Sequence, residues 1–235
     1  MVDLHHHLIY GIDDGAKSFD DMCQMMLHAV SQGVSDIVCT SHVTPGIAPF
    51  PIDRYYAHLE EARAFLAGQG IPLRVYPGCE VLYTDAAARL LKNGQYPTLA
   101  YSDAVLVEFS PDASFQEMTD AAKNFGIAGY QVLFAHIERY EALRKGKNIQ
   151  ILRDEYQVNM QMNANTVITK KGFFEDRWIR KTLENGYIDC VATDAHNLHS
   201  RRCKMQECYE VLANRYGIDT AEELCGGFQR RFLGI

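Results

Sequence analysis

Seven short strand-like runs alternate with longer amphipathic stretches along the whole chain. This alternation limits the fold more than any other feature of the sequence. The runs are MVDLH (1–5), DIVCTS (36–41), LRVYPG (73–78), AVLVEF (104–109), QVLFAH (131–136), YQVNMQMN (156–163) and IDCVAT (188–193). Helical spacing falls between them, over 18–32, 53–68, 84–93, 115–126, 169–185 and 201–216. The first helix is the clearest: Met22, Met25, Met26, Ala29 and Val30 repeat at i, i+3, i+4, i+7 and i+8. Ser18 can cap it, Asp20 and Asp21 sit where the helix dipole favours anions, and Gly33 stops it. Strands and helices that alternate this way need parallel strands joined by helical crossovers. Seven units predict an α/β protein built as a distorted (β/α)7 TIM-like barrel. An open doubly wound sheet is the alternative, but it would carry a glycine-rich phosphate loop after its first strand, where this chain has histidines.

Composition narrows the class. The chain has 235 residues, 47% of them hydrophobic, and no Pro/Gly/Ser-rich linker divides it, so residues 1–235 are expected to form one domain. The formal net charge is −7 and no basic stripe is present, which argues against a nucleic-acid partner. Seven cysteines, an odd number with no C-x-x-C, point away from a secreted disulfide framework and toward a cytoplasmic location. The N-terminus lacks a signal-peptide layout, and no apolar run approaches the ~18 residues of a spanning helix, so no membrane insertion is expected.

The informative residues are those at the strand ends. Parallel barrels build their active sites at the C-terminal ends of their strands. Here the successive ends offer His5 and His7, then His42, Glu80, Glu108, His136, Asn163 with Asn165, and finally Asp194 with His196. One such histidine or glutamate is ordinarily a solvated surface residue. Seven consecutive units agreeing has no such ordinary explanation and predicts a metal site. In extended chain, residues i and i+2 share a side, so His5 and His7 can reach one ion while His6 turns away; Asp194 and His196 repeat that spacing. Imidazole with carboxylate and no thiolate excludes a structural cysteine–zinc site and suits manganese, iron or zinc. The ligands outnumber one ion's needs, so two or three divalent ions are expected.

Taken in order, DLHHH with GIDDGA, TSH, GCE, VEF, AHIERY, QMNAN and ATDAHN resembles the PHP-type (polymerase and histidinol phosphatase) metal-dependent protein-tyrosine phosphatases of bacterial capsule and exopolysaccharide synthesis. The resemblance spans nearly the whole chain. It implies a PHP-fold barrel carrying a three-metal cluster, often manganese. It also implies activity on a phosphotyrosine-containing protein, in particular an autophosphorylating bacterial tyrosine kinase. By motif, the first ion would take His5, His7, Glu80 and Asp194. The second would share Glu80 and add Glu108 and His136, and the third would take Asp14, His42 and His196. Asp13 would support the loop. Arg139 and Arg201 would bind phosphate, with Arg202 as a substitute for Arg201. His42 or His196 would be the candidate proton donor, and a metal-bound hydroxide the expected nucleophile. Two departures stand out: His6 occupies a place where cysteine is more usual, and TSHVTPG follows His42, which leaves substrate contacts over 43–50 open.

Competing readings have sequence tests. Cys225 and Arg231 fit the C-x5-R spacing of cysteine-dependent phosphatases, but the segment follows helical TAEEL, not a strand. Amidohydrolases also use H-x-H but usually need a fourth-strand lysine, where this chain has Glu108. A small-molecule phosphatase acting on a compound such as histidinol phosphate shares the expected fold.

Overall fold

The computed structural model describes residues 1–235. Its strands are β1 (Val2–His6), β2 (Asp36–Val43), β3 (Arg74–Leu82), β4 (Ala104–Glu108), β5 (Gln131–Phe134), β6 (Asn159–Asn163) and β7 (Cys190–Ala192). They pair in chain order and all in parallel. The ring closes just past β7, where the Asp194 N–H donates to the His5 carbonyl at 2.8 Å and the His7 N–H to the Ala195 carbonyl at 2.9 Å. Sequential order with this seam makes a nearly closed seven-stranded barrel and rules out the open sheet.

Ten helices surround it: α1 (Phe19–Ser31), α2 (Ile52–Gln69), α3 (Ala87–Lys92), α4 (Phe115–Ile127), α5 (Asn148–Tyr156), α6 (Ala164–Ile168), α7 (Phe173–Glu184), α8 (Met205–Tyr216), α9 (Ile218–Glu222) and α10 (Phe228–Leu233). Ser18 and Asp21 form a capping box on α1, and Ser114 and Glu117 form one on α4, so both helices begin where the chain itself supplies partners for free N–H groups. In α2, Tyr55, Leu59, Ala62 and Leu66 form the buried stripe. The Tyr55 hydroxyl bonds to backbone on β2 and β3, donating to the Cys39 carbonyl at 2.6 Å and accepting from the Gly78 N–H at 2.9 Å. None of the helices is long and apolar enough to cross a membrane.

Two cores result. The larger lies between strands and helices. The smaller fills the barrel with Leu4, Val38, Leu106 and Leu133, closed at its base by Leu99, Phe232 and Leu233. Thus α10, which the hydrophobic pattern does not announce, acts as a plug. Cys225 lies fully buried in a π-helical turn (Glu223–Gly227) and Arg231 pairs with Glu223, its Nη1 3.0 Å from Oε2. No anion can reach that thiol, so the C-x5-R spacing is coincidental. All seven cysteines are free and buried.

Candidate metal centre

The first two ligand candidates owe their direction to a break in strand pairing. Asp3 pairs with Ile37 but His6 with Cys39, so β1 carries one more residue than β2 over that interval. The extra residue switches the alternation. Leu4 belongs to the barrel interior, and both His5 and His7 face the mouth. His6 is left fully buried with neither ring nitrogen partnered. Burial and the neighbouring His7 push its pKa down to about 3, so it is neutral.

His42 and Glu80 lie inside their strands, not beyond them, because β2 and β3 stay in register from Asp36–Arg74 to Val43–Val81. Polar side chains continue these strands because the mouth accepts them. His136 and Asp194 follow the ends of β5 and β7 and hold left-handed backbone, with φ of 31° and 53°. The extended i, i+2 geometry expected of Asp194 and His196 is therefore not what brings them in; the turn at Asp194 sends the two side chains to different places.

Four atoms converge tightly. His5 Nε2 lies 3.1 Å from Glu80 Oε2 and 3.4 Å from Asp194 Oδ1. His7 Nε2 lies 3.2 Å and 3.4 Å from the same two oxygens, and the two Nε2 atoms are 3.3 Å apart. Tetrahedral ligands at about 2.0–2.2 Å from a common centre have edges of about 3.3–3.6 Å, close to these spacings. Glu80 Oε2 is fully buried with no hydrogen-bond donor, and Asp194 Oδ1, equally buried, meets only the Arg201 guanidinium besides the imidazoles. Buried carboxylate oxygens need a partner, and a cation at this point fits them.

Two further groups adjoin the first. The other Glu80 oxygen, Oε1, is 2.7 Å from His136 Nε2, while Glu108 lies 3.6 Å from His136 Nε2 through Oε2 and 3.1 Å from His42 Nδ1 through Oε1. Asp14 Oδ1 is 3.2 Å from His196 Nε2 and 3.5 Å from His42 Nε2. His196 Nε2 is buried and makes no well-aligned hydrogen bond, its one carboxylate neighbour being Asp14. His42 thus stands between the second and third groups and presents a nitrogen to each. Sets that could hold an ion are His5–His7–Glu80–Asp194, His42–Glu80–Glu108 and His7–Asp14–His42–His196.

Arg139 and Arg201 reach the same rim. Arg139 Nη2 lies 2.5 Å from Asp194 Oδ2, and Arg201 Nη2 lies 2.8 Å from Oδ1. Both side chains are part-exposed, at 42% and 37%, so their guanidinium groups meet solvent at the mouth. Arg202 turns away to Glu207, which removes it as a substitute. Asn165 also lies outside the centre, accepting from Lys204 at 3.3 Å.

Polar side chains behind the ligands set their tautomers. Asp13 accepts from His7 Nδ1 at 2.8 Å, from the His42 N–H at 2.9 Å and from the Gly15 N–H at 2.9 Å, as the sequence leads one to expect of a loop support. Gln161 Oε1 accepts from His5 Nδ1 at 3.2 Å and from the His136 N–H at 2.7 Å. Its amide donates to Asn163, whose own amide donates to Asp194 Oδ2 at 2.9 Å. The Tyr140 hydroxyl faces His136 Nδ1 at 3.2 Å, and the Asp194 carbonyl accepts from His196 Nδ1 at 2.9 Å. With Nδ1 protonated in each case, the Nε2 lone pair points into the site, as a ligand requires. Gln161 and Tyr140 were not singled out from sequence. The signal for Gln161 was a polar residue inside the otherwise buried YQVNMQMN strand.

The charges are strongly coupled. Burial alone would raise the Glu80 and Asp194 carboxyls, but the surrounding imidazoles hold both well below the ordinary range. Burial likewise opposes a charge on His136, yet Glu108 and Glu80 raise it to about 9. Burial and His7 lower His196 to about 4. A cation entering the site therefore has to displace protons from imidazole.

Comparison with known proteins places this geometry. The family model for capsular polysaccharide synthesis, CpsB/CapC, matches residues 1–232. The chain belongs to the CpsB/CapC family. Tyrosine-protein phosphatase CpsB of Streptococcus pneumoniae is 31% identical over 231 residues, covering 95% of this chain and 94% of that protein. A solved structure described as YwqE from Bacillus subtilis and CpsB from Streptococcus pneumoniae, metal-dependent tyrosine phosphatases, matches with a TM-score of 0.87. It is 25% identical and covers 99% of this chain and 94% of that one. Histidinol phosphate phosphatase from Lactococcus lactis, solved with zinc, L-histidinol and phosphate, matches at a TM-score of 0.59 with 15% identity, covering 94% of this chain and 93% of that one; the likeness is one of fold. The CpsB/CapC relationship gathers nearly the full chain, with the strand-end histidines and carboxylates inside the matched span.

Proposed function

We propose that this chain is a metal-dependent protein-tyrosine phosphatase, and that its physiological substrate is an autophosphorylating bacterial tyrosine kinase of capsule or exopolysaccharide synthesis. The observation that carries the reading is the convergence of buried Glu80 and Asp194 carboxylate oxygens with the His5 and His7 Nε2 atoms, beside two part-exposed arginines. On this reading His5, His7, Glu80 and Asp194 hold one divalent ion, Glu80, Glu108 and His136 a second, and Asp14, His42 and His196 a third. Glu80 offers one oxygen to the first group and the other to His136, which suits a bridging role. The thiolate-free donor set favours manganese, with iron or zinc as alternatives.

Ions held there supply the positive charge and Lewis acidity that make water nucleophilic at neutral pH. The residues of the chain do the rest. Arg139 and Arg201 would turn part of their forks from Asp194 to the non-bridging phosphate oxygens, which gain charge as water attacks phosphorus and the bond to the tyrosine oxygen breaks. The leaving phenol has an ordinary pKa of about 10, so protonating it helps less than for an alkyl ester. His196 commits its Nδ1 proton to the Asp194 carbonyl, and His42 turns one nitrogen to each of two ligand groups, so either imidazole could protonate the leaving oxygen only while one of its nitrogens is not bound to an ion.

Purified protein should hydrolyse a phosphotyrosine peptide, lose that activity in EDTA and recover it with Mn²⁺. His136→Ala and Asp194→Ala should each lower turnover by at least about 100-fold with an unchanged circular dichroism spectrum. Wild-type rates in either variant, chelator-insensitive activity, or hydrolysis of histidinol phosphate in preference to phosphotyrosine would each overturn the reading.

A further inference from the structure

A second concave feature lies apart from the metal centre. It is a groove of about 630 Å³ on the outer wall, between α6, α7 and the end of α8. Its floor is apolar, from Val167, Ile179, Leu183 and the side of Tyr216, and Phe173 stands at its upper edge, 74% exposed. Around that floor stand Lys170, Arg177, Arg180, Lys181 and Arg215, against a single lining carboxylate, Asp176. Asp176 is itself engaged, accepting from the Lys171 N–H at 2.9 Å. Of the five cations only Arg180 has a carboxylate neighbour, Glu184 at 3.8 Å. In a chain of net charge −7, so uneven a lining has no counterpart in its own surface charges.

One end of the groove is tied to the metal centre by a chain of hydrogen bonds. Thr166 lines it and donates to Glu138 Oε1 at 2.9 Å, the same oxygen that accepts from the Asn163 N–H at 3.2 Å. Asn163 in turn holds Asp194. From Phe173 to Leu183 the groove follows eleven residues of α7, about 15 Å at a helical rise of about 1.5 Å per residue. That length accommodates about four or five residues of extended chain.

We propose that this groove binds an acidic, partly apolar segment of the same substrate polypeptide that presents its phosphotyrosine to the metal centre. The occupant follows from charge complementarity: carboxylates meet the unpaired lysines and arginines while an apolar side chain covers Phe173 and Ile179. The proposal rests on the phosphatase reading for the second half of that sentence, and its test separates the two. A fluorescein-labelled peptide alternating glutamate with leucine or phenylalanine, without phosphotyrosine, is titrated with the full chain at low salt and read by anisotropy. Binding is expected, weakened at least 10-fold in R177E/K181E, whose substituted side chains are exposed and touch no ligand candidate. In the second arm, that segment joined to a phosphotyrosine should show a KM at least 5-fold below its glutamine analogue. The variant should erase that difference while p-nitrophenyl phosphate is hydrolysed at an unchanged rate. Equal binding of acidic and glutamine peptides, an unaffected variant, or self-association of the wild type that the variant abolishes would overturn the groove's assignment. Peptide binding that persists without hydrolysis of p-nitrophenyl phosphate by the metal-loaded protein would keep the groove and overturn the phosphatase reading.

Discussion

Gly15 lies so close to the end of β1 that a Cβ there would sit 2.2 Å from the His7 carbonyl oxygen. Only glycine lets the loop after β1 fold back tightly enough for Asp13 to reach His7 and His42, and for Asp14 to reach His196. Asp13 is the keystone of that loop: its carboxylate accepts three bonds, two of which fix the ring of one ligand candidate and the backbone of another. Removing the carboxylate would free His7 to take the wrong tautomer. Asp13→Ala is therefore expected to weaken metal binding by about 10- to 100-fold, measured by titrating metal-free protein with Mn²⁺ while monitoring bound metal. Unaltered affinity would mean that the loop is held by other contacts. The left-handed backbone at His136 and Asp194 belongs to this scale too. Histidine and aspartate tolerate that region better than most residues, but each instance still costs about 1–3 kcal/mol. The barrel holds that strain at the two positions where a side chain must turn inward.

Within the elements, the interior of the barrel is as selective as the site above it. Gly78 on β3 faces Val38 and Leu99, and a Cβ there would lie 2.6 Å from Val38 Cγ1 and 3.1 Å from Leu99 Cδ2. Gly78→Ala should overpack the barrel and cost about 1–3 kcal/mol, read from the urea midpoint; a neutral result would mean that Val38 can change rotamer freely. The alternation of strand-like and helical runs made the seven strands and their order legible, because each run is apolar and each crossover amphipathic. The same signal stops short at the mouth. There His42 and Glu80 lie within β2 and β3, past the ends that the alternation gives those strands at residues 41 and 78. Helix α5 escaped notice because only Ile149 and Leu152 are buried on a polar segment with no side-chain cap. The irregular pairing in β1 could not be seen at all, since it is a matter of register between residues 33 or 34 positions apart and leaves no mark on composition. The ligand set could be read because its chemistry is rare at strand ends. The supports Gln161 and Tyr140 could not, since glutamine and tyrosine have many ordinary uses.

For the whole molecule, the decisive joint is the seam between β7 and β1, where the first and last strands must meet across nearly the full chain length. Asp3 fastens it, accepting from the Thr193 N–H at 2.9 Å and from the Thr193 hydroxyl. The carboxyl is fully buried, and that burial, opposed by the two bonds from Thr193, raises its pKa to about 6 from an ordinary 3.8. The folded state thus holds this proton more tightly than the unfolded chain does. Asp3 contributes most to stability below pH ~4, where it is protonated in both states, and that contribution fades as pH rises through about 6. A difference of about two pH units corresponds to roughly 3 kcal/mol at most. Asparagine can reproduce the neutral form, accepting from the Thr193 backbone and donating to its hydroxyl. Asp3→Asn is accordingly expected to be more stable than the wild type at pH 7.5 by about 1–3 kcal/mol and to lose most of that advantage by pH 4.5. Urea unfolding of metal-free protein across this range measures it, with the metal removed so that proton release from the ligand histidines on loading does not enter the comparison. A destabilised Asn variant at pH 7.5 would show instead that the ionised carboxylate is what holds the barrel closed.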